Sequence, residues 1–162
     1  MSTIQQPDIS PLRQLVRITI HLAGEPEFSF STHGDGSPDS QITVASGACL
    51  IFLKDRFAAR TYAAAWLTRN AQLLADRLPA ERRLADNTDH AVDPPTIAIS
   101  AIGRDTPFVR PGPGGLHATI GRVTWICHDQ AAFAGQQRIW RTVLALSEIV
   151  LPDNDWSRLS RR

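Results

Sequence analysis

Apolar and polar residues alternate at the start of the chain. Val16, Ile18, Ile20 and Leu22 fall on one side, and Arg17, Thr19 and His21 on the other. A period of two rich in β-branched residues predicts a half-buried strand, closed by Gly24. Phe28 and Phe30 alternate with Glu27, Ser29 and Ser31 in a short second strand. The segment HGDGSPDS from His33 to Ser40 has the chemistry of a turn. A third strand over Ile42 to Ala45, a tight turn at Ser46-Gly47 and a fourth strand over Cys49 to Leu53 follow. The period then changes. Ala63, Trp66, Leu67, Asn70, Ala71, Leu74 and Leu78 recur at three- and four-residue spacings, the apolar stripe of a helix. Asp55 stands where an N-cap is needed, and Pro79 stops the helix.

The second half repeats the plan. Thr96 to Ile102 reads as a strand ended by Gly103, Pro107 to Arg110 as a short extended segment, and Pro111 to Gly115 (PGPGG) as a loop. Strands over His117 to Ile120 and Val123 to His128 flank a turn at Gly121. Asp129 caps a helix striped by Ala132, Ile139, Trp140, Val143, Leu146, Ser147 and Val150 and ended by Pro152. A shift of 74 residues places Gly47 on Gly121, Asp55 on Asp129, Ala58 on Ala132, Trp66 on Trp140 and Thr68 on Thr142. Repetition of this kind sets an architecture before any single residue does.

The expected fold is therefore α+β: two tandem ββββα repeats in one pseudo-twofold domain, with antiparallel sheets packed against two long helices. Residues 12–79 form repeat one, 80–95 a charged linker, 96–152 repeat two and 153–162 a basic tail. Each unit has one apolar helix face and one apolar sheet face, which neither unit buries alone.

Composition adds limits. At 162 residues, one domain is expected. A net charge of +1 gives no global attraction for nucleic acid, although the tail from Trp156 carries three Arg and no acid. The two Cys, Cys49 and Cys127, lie in apolar runs and read as buried thiols. The first residues, MSTIQQPDIS, lack a basic start and an apolar stretch, and no apolar run approaches a membrane span. A cytoplasmic location, with no membrane partner, is expected.

Catalytic and metal chemistry find little support. The HGDGSPDS turn imitates the start of a calcium loop, but Ser40 and Ser46 stand where Gly and Glu are needed. PGPGG lacks the Gly-Lys-Ser/Thr ending of a phosphate loop. The five His make no pair with metal-ligand spacing. Cys127, His128 and Asp129 adjoin, but neighbouring strand residues face opposite ways, and Asp129 is better used as a cap. No enzymatic role, cofactor or metal is expected.

Binding is the remaining class. Val123, Trp125 and Cys127 should meet the helices, which leaves Arg122, Thr124, Ile126 and His128 on an open face with Arg17, Thr19 and His21. Leu50 and Phe52 occupy the corresponding face of repeat one. Such a face holds a single nucleic-acid strand through phosphate contacts and base stacking. The expected contacts are Arg17, His21, Arg122, His128 and the tail residues Arg158, Arg161 and Arg162 to phosphates or bases, with Phe52 stacking. The alternative is a protein-interaction or structural subunit, a homodimer or accessory protein, using Leu50, Phe52 and Ile126 as an apolar patch.

The tandem order of four strands and a helix, over about residues 12–152, resembles the plan of the PUR and Whirly single-stranded nucleic-acid-binding proteins. In those families paired units build curved sheets that contact single strands, and helices clasp the units together. The resemblance implies a sheet-borne binding face and carries over no individual residue.

The repeat puts Trp66 and Trp140 in equivalent buried places. Replacing either by Ala is expected to cost about 3–5 kcal/mol and to leave the protein unfolded or molten. Wild-type melting temperatures in both variants would remove the main support for the repeat.

Overall fold

The computed structural model describes residues 17–34, 36–47, 49–84 and 96–153. Val16, most of the expected linker and the three tail arginines lie outside them. The described residues form eight strands and three helices: β1 Ile18–Leu22, β2 Phe28–His33, β3 Gln41–Ser46, β4 Cys49–Leu53, α1 Arg56–Leu67, α2 Arg69–Ala75, β5 Ile97–Ala101, β6 Phe108–Gly112, β7 Gly115–Ile120, β8 Val123–Cys127 and α3 Gln130–Val150. The α+β class is as expected.

Two corrections concern the elements. The PGPGG segment is mostly strand, because Pro111 and Gly112 end β6 and Gly115 begins β7. Only Pro113 and Gly114 turn the chain, and Gly114 supplies the positive φ of +84° that such a turn demands. The first long helix is in fact two. Thr68 is extended (ψ 151°) and caps α2, its hydroxyl accepting from Ala71 N–H at 3.3 Å. The matching Thr142 stays inside α3 and donates to Arg138 C=O at 3.1 Å. Both are known habits of threonine, and the tertiary partner decides between them. Here Gln137 of α3 donates from Nε2 to the Trp66 carbonyl, 3.2 Å away, near the break.

The sheets are ordered β1-β8-β7-β6 and β2-β3-β4-β5. They are not purely antiparallel, because β1 pairs in parallel with β8 and β5 in parallel with β4. A parallel pair needs a long crossover, which α1 and α2 supply between β4 and β5. The first strand of each half thus completes the sheet built by the other three strands of the opposite half.

Burial alternates along β1, β4, β5, β7 and β8 and through most of β3. Ile42, Val44, Cys49, Ile51 and Leu53 from one sheet, and Leu116, Ala118, Ile120, Val123, Trp125 and Cys127 from the other, are buried in one core. Helices α1 and α3 pack against each other there. Tyr62 stacks on Trp140 with ring centres 5.0 Å apart and meets Trp125 edge-on at 5.6 Å, while Trp66 leans on Phe133 at 6.2 Å. Small residues on α1, Ala58, Ala59, Ala63 and Ala65, are buried in the same core.

Asp55 and Asp129 join these parts. Each is fully buried and caps its own helix, with Oδ1 accepting from Ala58 N–H at 2.8 Å and from Ala132 N–H at 2.7 Å. Each Oδ2 then accepts from the glycine that follows the visiting strand: Gly103 N–H reaches Asp55 at 2.7 Å, and Gly24 N–H reaches Asp129 at 2.8 Å. Asp129 takes a further bond from Arg82 N–H at 2.8 Å. The free amides at the helix starts are also met by chain following the opposite helix. Arg56 N–H donates to Pro152 C=O, and Gln130 N–H to Pro79 C=O.

Asp129→Ala removes a cap and strands three amides. The cost is expected to be at least about 3 kcal/mol, from ~1 for the cap and ~1–3 for each unsatisfied buried group. Asp55→Ala should cost less, since it strands two. Urea unfolding of the two variants reads both the size and the order.

Candidate nucleic-acid interface

The outer face of the β1-β8-β7-β6 sheet is set by strand register. Thr19, Thr124, Thr119 and Phe108 stand side by side across the four strands, and His21, Ile126, His117 and Arg110 form the next row. Arg17 precedes β1 and Arg122 sits in the β7–β8 turn. The two are tied because Ile18 N–H donates to Arg122 C=O at 3.0 Å.

This corner holds a groove of about 430 Å³ lined by Arg17, Arg110 and Arg122 with Phe108, Thr119 and Thr124. All three arginines are exposed, and so is Phe108, at 60%. The Arg110 guanidinium lies over the Phe108 ring, 5.9 Å from its centre, close enough for a cation–π contact. The Thr119 and Thr124 hydroxyls bond each other at 2.9 Å, which stiffens the floor. Among the described residues no carboxylate lines the groove. Asp105 borders it beyond Gly121, with Oδ1 taken by Thr106 N–H.

Histidines occupy the other end of the face. His21 Nδ1 and His128 Nε2 share a hydrogen bond at 2.8 Å, their rings 5.1 Å apart and nearly parallel. His117 donates from Nε2 to Pro113 C=O at 2.7 Å. His128 is 6% exposed, with Gly114 packed over its ring so closely that a Cβ there would come within 2.9 Å of Cε1. Its Nδ1 is buried and finds no hydrogen-bond partner among the described residues. Burial pushes the His128 imidazole below its usual range. The positive neighbours His21 and Arg82 act in the same sense, and the Gly114 backbone and Asp129 partly oppose them.

The residues expected to bind are thus divided. Arg17 and Arg122 share the groove. His21 lies on the same face but at its far end, and His128 is closed off, so it supports His21 rather than reaching a ligand. Phe52 belongs to the other sheet, half-buried between Thr43 and Ser100, and does not join the arginines. Leu50 shares that second sheet while Ile126 is in the first, so the expected three-residue apolar patch is split. Arg158, Arg161 and Arg162 lie outside the described residues. Thr124 lies on the face expected of it, and Phe108, Arg110 and Thr119 complete the site without having been expected there. Their signal was the alternation Phe108-Val109-Arg110, which sends the ring and the guanidinium to one face once β6 pairs with β7.

Cys127, His128 and Asp129 do not form a reactive group. The Cys127 thiol is in the core, donates to Asp129 C=O at 3.4 Å and is pushed up to about 12 by burial. His128 bonds to His21 on the opposite face, and the Asp129 carboxylate is taken by amides. Among the described residues no three His, Cys, Asp or Glu side chains cluster as metal ligands. Among the described residues no helix is long and apolar enough to cross a membrane. No family model, curated protein or solved structure matches the chain.

Burial of His128 makes stability depend on pH. A folded-state value held below that of the unfolded chain means that the unfolded chain takes the proton first. This contribution is therefore full above about pH 6.5 and is lost as pH falls below that. Urea unfolding between pH 7.5 and 5 should show falling stability, with a shallower fall in His128→Leu. An equal slope in the variant would exclude His128 as the cause.

Proposed function

We propose that the chain is a non-enzymatic module that binds single-stranded nucleic acid on the outer face of the β1-β8-β7-β6 sheet. The observation that carries this reading is the groove in which Arg17, Arg110 and Arg122 converge beside an exposed Phe108. Guanidinium groups suit phosphate oxygens, because their planar donors engage two at once. An exposed ring on a sheet gives a base a stacking surface, which a duplex would leave unused. With a net charge of +1, attraction comes from this local cluster rather than from the molecule as a whole.

We read the two halves as tandem repeats related by a pseudo-twofold axis. Paired features support this: Asp55 with Asp129, Gly103 with Gly24, and the parallel pairing of β5 and β1 with the opposite half's last strand. On this reading the halves have diverged in charge. The outer face of the β2-β3-β4-β5 sheet carries Ser29, Ser31, Thr43 and Ser100 around Leu50 and Phe52. That nearly neutral face favours a second reading, a protein partner or a second copy, and a concentration-dependent dimer in light scattering would support it.

Fluorescence anisotropy of a labelled single-stranded oligonucleotide, against a duplex control, tests the main reading. Three phosphate contacts predict that log K falls with log salt at a slope of about −2. Arg110→Ala and Arg122→Ala should each lower the slope by somewhat less than 1, and Phe108→Ala should weaken binding by about 1–3 kcal/mol. Phe52→Ala should change nothing. Flat curves at low salt would remove nucleic acid from the reading.

A further inference from the structure

A second opening lies between the two sheets, beyond the end of β1. Ile20 and Leu22 face the core there but remain half-buried, because β1 is an edge strand. The space beside them is a cleft of about 290 Å³, walled mainly by Ile20, Leu22, Pro26, Cys49, Ile97 and Ala132. Its inner end shares Ile20, Leu22, Cys49 and Gln136 with a small void of about 20 Å³ beneath Tyr62, Trp66, Trp125 and Trp140. The outer wall is firmly placed. Pro26 packs so tightly on α3 that a Cβ at Gly135 would fall 2.3 Å from its ring.

Gln136 makes this more than a gap in the packing. The residue is 5% exposed and borders both spaces. Its Oε1 accepts from the Trp140 indole N–H at 3.2 Å, which fixes the amide. Among the described residues its Nε2 donates to no partner, and Gln136 lines the cleft. A buried amide donor without an acceptor costs free energy unless water or a ligand meets it.

We propose that the cleft binds a neutral, mostly apolar small molecule carrying one hydrogen-bond acceptor, which Gln136 Nε2 engages. An apolar cavity of about 150 Å³ holds benzene, so this volume suits roughly two fused rings and is too small for a peptide or a nucleic-acid strand. Among the described residues the lining offers an anion no Lys or Arg; Glu27 borders the cleft and opposes one, and the His21 ring is engaged by His128. This site is separate from the arginine groove and does not depend on its ligand.

The probes are 1-indanone and indane, two bicyclic molecules of similar size of which only the first has an acceptor. Binding is followed by ligand-observed NMR and tryptophan emission. Saturable binding of both, with indanone about fivefold tighter as one net hydrogen bond allows, is the expected result. Gln136→Met should bring the two probes level. Because that change also strands the Trp140 indole, Ala23→Leu at the half-buried mouth serves as the second variant, and it should weaken both probes at least tenfold in a folded protein. No saturable binding, equal affinities in the unaltered protein, or undiminished binding by Ala23→Leu would overturn the proposal.

Discussion

Two buried carboxylates hold this fold together. A charge taken out of water is costly unless its lone pairs are met, and Asp55 and Asp129 meet theirs with backbone amides from two directions at once. One oxygen starts a helix of its own half. The other grips the strand end that arrives from the opposite half. Helix initiation and strand exchange are thereby coupled, and neither half has a complete sheet without the other's first strand.

The same exchange creates the surfaces available for function. β1 joins β8 in parallel, which brings Arg17 alongside Arg122 and extends the outer face to four strands. β6, at the opposite edge, contributes Phe108 and Arg110. As an edge strand, β1 has no neighbour beyond it among the described residues, and its inner residues Ile20 and Leu22 are only half covered beside the Gln136 cleft. A polar groove and an apolar cleft arise from the two faces of one strand, as a period of two requires.

Much of the local structure was legible in the chain. Asp55 and Asp129 read as caps because a short acceptor directly before an apolar-periodic run has few other uses. Strands β5 and β8 and the burial of Trp66 and Trp140 followed from local pattern. The break at Thr68 did not, because Thr142 in the same register continues its helix and the difference lies in contacts with α3. Arg110 and Phe108 were passed over for a similar reason. Their segment is short, contains Pro111 and gains a face only when paired with β7.

Hydrophobic period, caps and turn residues determined which segments became strands and helices, and which side of each is apolar. These are properties of neighbouring residues and need no distant partner. Strand order, the parallel β1–β8 and β4–β5 pairs, the grouping of Arg17, Arg110 and Arg122, and the closing of His128 behind Gly114 were decided by tertiary structure. Edge strands of similar composition satisfy their hydrogen bonds equally well against several partners. Only the shared core and the two buried aspartates make one arrangement cheaper than the rest.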